Sequence, residues 1–483
     1  MRATLLSLCL LILLLTPPLA AQFSAPEQAV LQELDRKADA YFGVAKRIWD
    51  WAEVGYQEEK SSALLQETLR AEGFTVEAGV AGIPTAFTAT FRSGAGPTIG
   101  ILGEFDALPG ITQTASPRRE ERTDVHAGHA CGHHLFGAGS AAAAIAVKHW
   151  MEANGVSGTL RFYGCPAEEG GAGKVYLVRA GLFDDVDAVI HWHPSDGNSA
   201  HAASSLANKS AKFRFHGVSA HASSAPENGR SALDGVEAMN AMVNMLREHL
   251  TMESRTHYVI TRGGEAPNVI PDFAEVFYYV RHPDMAVAAQ NFERVVKCAE
   301  GAALGTGTRM EYEVIHGSYN LLPNVTLSRL MHANLSRVGG VDYTPEEAAF
   351  AAEIAPTFTT PAGEDPARAA AAVDSFRVIR KGQGGSTDVG DVSWVVPTVG
   401  LRTATWVPGT SAHSWQAVAA GGTTIGQKGM LVAAKTMALT ALDLFRQPAT
   451  LQAALRELNE QRGPDFEYQA LLGDREPPLD YRD

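Results

Sequence analysis

The residues best suited to chemistry lie in one short stretch. Three imidazoles and one thiol fall within the six residues from His129 to His134. Cys131 and His133 are two residues apart, so both can reach one metal ion where the backbone turns, and Gly132 adds no side chain to crowd the ion. Sulfur and nitrogen ligands suit Zn²⁺ and similar divalent cations. The same pattern also fits a buried thiol beside a capping histidine, so the interpretation depends on further ligands.

Further ligand-type side chains follow three apolar segments that have the composition of β-strands. They are Glu104 and Asp106 after residues 98–102, Glu168 and Glu169 after residues 159–163, and His191 and His193 at the end of residues 187–192. Polar side chains at the carboxyl edge of a sheet are typical of α/β sites. In a carboxylate pair, one member can ligate metal while the other acts as a general base. Each segment alone also fits solvated loop charges or core histidines, but three in succession favour a metallohydrolase.

Bulk properties narrow the class of protein. Residues 1–22 combine a basic start, a short apolar run and small residues at the end, which predicts a secretory signal peptide and an exported chain, periplasmic or extracellular. The run is too short for a membrane span, and we expect none in the mature chain. The net charge of −14 argues against a nucleic-acid partner. The mature cysteines, Cys131, Cys165 and Cys298, are too few for a disulfide scaffold.

The length of the chain predicts two domains. Residues 209–315 follow the order β-α-β-β-α-β, which is the split ferredoxin-like unit. We therefore expect a catalytic domain formed by residues 23–203 and 318–447, an inserted domain at 204–317 and a C-terminal tail at 448–483. Outside the insertion we expect one long helix over residues 26–53, helices over residues 135–151 and 427–445, and a peripheral region at 339–370.

The inserted segment also holds candidate functional residues. His221 lies in a loop of small residues, Asn268 can hold a polarised carbonyl, and Arg281 can pair with a substrate carboxylate. Each of these is also compatible with an ordinary surface loop or a structural salt bridge. One more histidine, His413, follows in the sequence Ala-His-Ser-Trp near the C-terminus.

The order of these motifs resembles one family over nearly the whole mature chain. The matching segments are residues 103–109, 129–133, 164–173, 192–194, 219–226, 266–271, 386–391 and 412–415. They are similar to the M20 metallopeptidase and amidohydrolase family, subfamily D, and within it to the aminobenzoyl-glutamate hydrolase type. The resemblance implies an α/β, zinc-peptidase-like catalytic domain with a mixed sheet flanked by helices, and a ferredoxin-like lid and dimerisation domain.

The resemblance also implies roles for individual residues. A pair of divalent cations, Zn²⁺ or Mn²⁺ with Co²⁺ as a further choice, would be held by Cys131, His133, Glu169, His193 and His413. Glu168 would be the general base, His221 from a partner subunit would steady the oxyanion, Asn268 and Arg281 would hold substrate, and Asp106 would orient the ligands. The chain would form a homodimer. It departs from many relatives at His134 and Glu104, where they carry aspartates.

These observations predict an exported dinuclear amidohydrolase. Its substrates would be N-acyl amino acids, aminobenzoyl-glutamate-like conjugates or dipeptides with a free carboxylate. One alternative is a non-catalytic, metal-stabilised protein that binds carboxylates, although binding alone needs no spare base such as Glu168. A second alternative is a redox protein that pairs Cys131 with Cys165.

Overall fold

The structure is a computed structural model that describes residues 23–359, 365–382 and 384–482. The predicted signal peptide lies outside these residues. Among the helices described, none is both long enough and apolar enough to cross a bilayer.

The strands form two main sheets. In chain order they are β1 (Thr75–Ala78), β2 (Phe87–Ser93), β3 (Thr98–Glu104), β4 (Leu108–Pro109), β5 (Ala127–Gly128), β6 (Gly158–Cys165), β7 (Ala188–Ser195), β8 (Ala202–Ala203), β9 (Ala207–His216), β10 (Arg255–Arg262), β11 (Phe273–His282), β12 (Arg309–Ser318), β13 (Val378–Ile379) and β14 (Thr398–Ala404). The larger sheet has the order β1-β2-β6-β3-β7-β14. Its β6, β3, β7 and β14 are parallel, whereas β1 and β2 are antiparallel, so the sheet is mixed.

Helices flank the larger sheet and cover one face of the smaller one. They are α1 (Ala25–Arg36), α2 (Ala38–Trp51), α3 (Glu59–Ala71), α4 (His133–Asn154), the short turn α5 (Glu168–Gly171), α6 (Gly173–Arg179), α7 (Ala232–Leu246), α8 (Met285–Thr306), α9 (Val325–Val338), α10 (Pro345–Ile354), α11 (Pro366–Ala371), α12 (Val389–Val395), α13 (Trp415–Gly421), α14 (Thr424–Arg446) and α15 (Pro448–Arg462). The expected α/β class with a mixed sheet between helices is confirmed. The prediction of one continuous helix over residues 26–53 is wrong. Lys37 has non-helical angles, φ −97° and ψ 6°, and separates α1 from α2.

The smaller sheet has the order β10-β11-β9-β12, with every pair antiparallel. In chain order its elements run β9-α7-β10-β11-α8-β12, which is the predicted ferredoxin-like sequence of strands and helices. Apolar side chains of α7 and α8, such as Val236 and Phe292, pack with Phe213 and Val276 of the sheet in a core of their own. Its action as a lid stays a prediction.

Helix α4 is the central support of the larger sheet. It contacts β3, β7 and α14, and its alanine-rich middle is buried. Small residues allow this close packing: a Cβ on Gly139 would lie 2.8 Å from Met430. Trp192 of β7 donates a hydrogen bond to the Phe136 carbonyl at 3.2 Å, which joins strand to helix. The N-terminus of α4 is thereby fixed beside the ends of β3 and β7.

A fully buried ion network joins three elements at the carboxyl edge of this sheet. The ammonium of Lys174 on α6 lies 2.6 Å from Glu104 at the end of β3 and 2.7 Å from Asp388 before α12. Asp388 also accepts the backbone N–H of Lys174 at 2.9 Å. Burial lowers the pKa of Lys174, but the charges of Asp388 and Glu104 outweigh it and raise this pKa well above its usual value. The positive charge of Lys174 and the negative charges of Glu104 and Asp388 therefore stabilise one another in the protein interior.

Replacing Lys174 by methionine should destabilise the fold strongly. The substitution leaves Glu104 and Asp388 buried without their shared cation, and removing one partner of a buried ion pair costs about 3–5 kcal/mol. Urea unfolding measures the change in free energy. Lys148→Met is the control, because Lys148 pairs with the half-exposed Glu152 at 2.8 Å and should contribute less than about 1 kcal/mol. Equal losses in the two variants would contradict the network's importance.

Candidate functional site

The predicted site residues largely meet at one edge of the larger sheet. Strands β6, β3, β7 and β14 are parallel, so their carboxyl ends lie side by side. They open into a cleft of about 1490 Å³. Its lining includes Cys131, Glu168, Glu169, His193, Arg281 and His413.

The turn before α4 places Cys131 against β7. Gly132 has a φ of 77°, and a Cβ there would lie 2.6 Å from Pro194, so the close approach requires glycine. Cys131 Sγ lies 3.5 Å from His193 Nε2. His193 Nδ1 donates to the Pro194 carbonyl at 2.7 Å, which leaves Nε2 with its lone pair facing the sulfur.

Asp106 contacts both His133 and the loop that carries Glu168 and Glu169, which we call the carboxylate loop. Its Oδ1 lies 2.9 Å from His133 Nδ1, and its Oδ2 accepts the Glu169 backbone N–H at 2.9 Å. His133 Nε2 then faces Glu104 Oε2 at 3.1 Å. Burial lowers the pKa of His133, but the charges of Cys131, Glu104 and Asp106 outweigh it and raise this pKa well above its usual value.

The loop of Glu168 and Glu169 has a strained backbone. Ala167 and Ala172 on either side both have a φ of 57°, in the left-handed region that alanine rarely adopts. Hydrogen bonds hold it in place: Glu58 accepts the Ala167 N–H at 2.8 Å, and Tyr56 donates to the Gly171 carbonyl at 2.7 Å.

The two carboxylates of this loop have different surroundings. Glu169 Oε1 lies 3.2 Å from Nε2 of His413, whose backbone N–H donates to the Ala130 carbonyl at 2.9 Å. The hydrogen bond to Glu169 raises the pKa of His413, against the effect of its partial burial. Burial, followed by the charge of Glu169, raises the pKa of Glu168 well above its usual value. Such an environment is typical of a catalytic base or acid.

The donor set fits divalent cations. Ligand atoms of Cys131, His133 and His193 lie within 4.8 Å of one another, and so do those of Cys131, Glu169 and His413. Cys131 belongs to both groups, so its sulfur lies between two ligand sets. Apart from their ion-pair neighbours, Glu104 Oε2 at 3.1 Å and His413 Nε2 at 3.2 Å, the buried atoms His133 Nε2 and Glu169 Oε1 have no hydrogen-bond partner within the described part of the chain. Unpaired buried donors and acceptors are costly, and a cation would satisfy them.

The two positions that depart from many relatives differ in kind. His134 is a buried core histidine: its Nε2 lies 3.1 Å from the Gly421 carbonyl, and its ring lies 4.9 Å from that of His129. Burial lowers its pKa well below the usual value. Glu104, by contrast, shares a third possible ligand group with His133 and Glu168. It therefore belongs to the site as well as to the Lys174 network.

The inserted unit contributes to the cleft unevenly. Arg281 on β11 lines it, with Nη1 3.5 Å from Ser386 Oγ, and its buried Nε has no hydrogen-bond partner in the described chain. His221 and Asn268 lie outside the cleft lining. The loops that carry them are joined by a hydrogen bond, which the Ala222 N–H donates to the Asn268 carbonyl at 3.0 Å. Their roles, and the partner subunit that His221 requires, stay predictions.

Two further groups of functional interest were missed by the sequence reasoning. Lys174 neutralises Glu104, and the hydroxyl of Tyr481 at the C-terminus donates to the Glu169 carbonyl at 3.0 Å. A lone lysine on a short helix and a tyrosine in a polar tail match no catalytic motif. The cysteines in the described chain are free, and Cys165 Sγ bonds to the Tyr163 carbonyl at 3.3 Å, so no bridge supports the redox alternative.

Comparison with known proteins is consistent with this geometry. The model of peptidase family M20/M25/M40 matches residues 100–418. The chain is 42% identical to a p-aminobenzoyl-glutamate hydrolase chain of Escherichia coli (strain K12), over 88% of this chain and 92% of that protein. It is 30% identical to the Xaa-Arg dipeptidase of Mus musculus, over 91% of this chain and 93% of that protein.

A solved structure shows the same fold. The aminobenzoyl-glutamate utilization protein from Klebsiella pneumoniae superposes with a TM-score of 0.60 at 19% identity, over 86% of this chain and 97% of that chain. Because the family match spans most of the sheet and its ligand-bearing loops, and the similarity to the two enzymes covers nearly the full length of each, this chain belongs to peptidase family M20/M25/M40 and is a hydrolase of that family.

Proposed function

We propose that this protein is an exported, dinuclear metal-dependent amidohydrolase. It cleaves the amide bond of N-acyl amino acids, aminobenzoyl-glutamate-like conjugates or dipeptides that keep a free carboxylate. The observation that carries the proposal is the division of the carboxylate pair within the cleft: Glu169 lies 3.2 Å from His413 in one possible ligand group, while Glu168 belongs to a different group. The name of the 42% identical relative, an aminobenzoyl-glutamate hydrolase, supports this substrate class.

Five residues would hold the two cations. They are Cys131, His133, Glu169, His193 and His413, whose ligand atoms form two overlapping groups around the sulfur of Cys131. Zn²⁺ suits this mixture of sulfur, nitrogen and oxygen, with Mn²⁺ and Co²⁺ as further candidates. When bound, the cations lower the pKa of water and polarise the amide carbonyl.

Glu168 moves the proton in the proposed reaction. Its carboxylate takes a proton from the attacking water as the new C–O bond forms at the amide carbon. The same carboxyl then delivers that proton to the leaving nitrogen as the C–N bond breaks. Asp106 keeps the His133 ring oriented throughout, because it holds Nδ1 at 2.9 Å.

Arg281 would select substrates with a free carboxylate. It faces the same cleft as Glu168, and its buried Nε has no hydrogen-bond partner in the described chain. A guanidinium with free donors pairs with a carboxylate in a bidentate manner. Such pairing would place the amide bond of an acyl amino acid at a fixed distance from Glu168.

Substitution of the two adjacent glutamates should have different effects. Glu168→Gln keeps the ligands and should bind Zn²⁺ normally while turnover of an aromatic acyl-glutamate falls about 10²–10⁴-fold. Glu169→Gln should lose metal affinity as well, because it removes a ligand charge. Metal affinity comes from competition with a chromophoric chelator, and turnover from amine release. Full activity in Glu168→Gln would reject its role as base. An inactive but metal-loaded wild type would support the carboxylate-binding alternative.

Loss of Arg281 should weaken recognition of the free carboxylate. Arg281→Met should raise KM for an acyl-glutamate by about 10–100-fold, since a charge-assisted hydrogen bond contributes about 1.5–3 kcal/mol. Steady-state kinetics on the free acid and on its α-methyl ester provides the comparison. The ester should respond little to the substitution. An equal rise for acid and ester would show that Arg281 does not read the carboxylate.

A homodimer would bring His221 to a partner's site. The inserted unit exposes apolar side chains, among them Met245 on α7 and Val259 and Ile260 on the edge strand β10, as an interface surface would. If His221 acts across the interface, Glu168→Gln and His221→Ala should each be inactive, and their equimolar mixture after random subunit exchange should regain up to about a quarter of the activity. A mixture that stays inactive despite exchange would rule out the shared site.

Export rests on residues 1–22 alone. In a bacterial host the full chain should appear in the periplasmic or secreted fraction, with its N-terminus starting near residue 22. Recovery of the uncut chain in the cytosol would contradict export without affecting the proposed chemistry.

A further inference from the structure

The last described residues of the C-terminal tail lie in the cleft. Residues 463–482, the part of the tail after α15 that the structure describes, have no regular secondary structure, yet Tyr481 and Arg482 line the same cleft as Glu168 and Glu169. No motif in the sequence assigns the tail a role. The position of Tyr481 and Arg482 therefore calls for a physical explanation.

The path of the tail is fixed by a series of anchors. Tyr468 donates to Asp391 Oδ1 at 2.7 Å, and Leu472 is buried in the core beneath the carboxylate loop. Arg475 donates to the Ile315 carbonyl and to Glu313 Oε1, each at 3.0 Å. These contacts extend over most of the tail, so its last residues reach the cleft on a defined course.

The last two described residues converge on one atom. The Tyr481 hydroxyl donates to the Glu169 carbonyl at 3.0 Å, and Nη2 of Arg482 donates to the same oxygen. The Tyr481 ring packs edge-on against Tyr56 at 5.5 Å, and Tyr56 itself donates to the Gly171 carbonyl at 2.7 Å. Tail and Tyr56 together hold the carbonyl side of the loop.

The loop needs such support. Ala167 and Ala172 are both in the left-handed region, and a non-glycine residue there costs of order 1–3 kcal/mol unless its surroundings hold it. The N–H of Glu169 is already fixed by Asp106 at 2.9 Å. Fixing its carbonyl as well prevents rotation of the peptide planes on both sides of the residue, and so sets where its side chain points.

We propose that Tyr481 and Arg482 are positioning residues of the active site. They hold the Glu169 carbonyl, which aims the Glu169 side chain at its cation and keeps Glu168 beside the substrate. The proposal rests on the proposed function, since it assigns the tail a part in that same site.

Variants at the two positions test the assignment. Tyr481→Phe removes one hydroxyl, Arg482→Met removes the charged donor, and the double variant removes both. Supports behind metal ligands typically contribute about 10–100-fold to metal affinity or activity. The double variant should therefore lose about 10–100-fold in Zn²⁺ affinity, measured by chelator competition without substrate. Its kcat on an acyl-glutamate should fall by a similar factor, with KM changed less than about threefold.

Two comparisons exclude a general effect on folding. Arg482→Lys should lose much less Zn²⁺ affinity and kcat than Arg482→Met, because an ammonium can donate to the same Glu169 carbonyl. Arg462→Met is the matched control: Arg462 also donates from the C-terminal region to a backbone carbonyl, that of Trp394 at 3.0 Å, but lies outside the cleft lining. It should leave Zn²⁺ affinity unchanged, and urea unfolding of the metal-free proteins should show similar midpoints for it and for the double variant.

The outcomes that overturn the proposal are specific. Wild-type Zn²⁺ affinity and kcat in the double variant would show that the tail only packs. A rise in KM alone would make Arg482 a substrate contact, and equal losses in Arg462→Met would indicate general destabilisation. Failure of the proposed function looks different, because the wild type itself would then bind no Zn²⁺ or hydrolyse no amide.

Discussion

The site depends on two contacts made by the buried carboxylate of Asp106. One of its oxygens faces the His133 ring and the other accepts the Glu169 N–H, both at 2.9 Å. A single buried side chain thus sets the orientation of an imidazole on α4 and the backbone of a loop after β6. Burial raises the pKa of Asp106, but His133 outweighs this effect and lowers that pKa, so Asp106 stays ionised. The acceptor is therefore charged when it holds both partners.

The excess of buried negative charge explains why the site calls for cations. Five carboxylates, those of Glu58, Glu104, Asp106, Glu168 and Glu169, lie in or behind the cleft, and the basic side chains that pair with them in the described chain include Lys174, His133 and His413. Burial, followed by neighbouring carboxylates, raises the pKa of Glu58 and Glu168 well above the usual value. Among these five, Lys174 forms a direct ion pair with Glu104, at 2.6 Å. Divalent cations at the thiolate and imidazole groups would compensate the remainder.

The sequence predicted the fold class and several of the residues that meet at the cleft, and particular residues show why the rest could not be predicted. Side chains that follow neighbouring parallel strands lie at the same edge of the sheet. Local patterns alone therefore sufficed to predict that Glu169 and His193 lie close together. Strand β14 was missed because Gly400 and Arg402 interrupt its apolar pattern, yet Gly400 is needed there: a Cβ would lie 2.3 Å from His191 Nε2. The contact between Tyr481 and Glu169 spans 312 positions. No local pattern encodes such a pairing, because it depends on the complete path of the tail.

That path connects the two sheets of the protein at the point where chemistry is proposed. Arg475 in the tail bonds main-chain carbonyls of β12 in the smaller sheet, and Arg179 on α6, beside the carboxylate loop, donates to the Arg475 carbonyl at 2.7 Å. Arg281 is carried by β11 of that same smaller sheet. Because the tail is bound both to α6 and to β12, it restrains the distance between two parts of the site. These are the guanidinium of Arg281, which is proposed to hold the substrate carboxylate, and the loop of Glu168. Hydrolysis of an amide at a fixed separation from a carboxylate needs that restraint, because the base must reach the attacking water while the carboxylate stays bound.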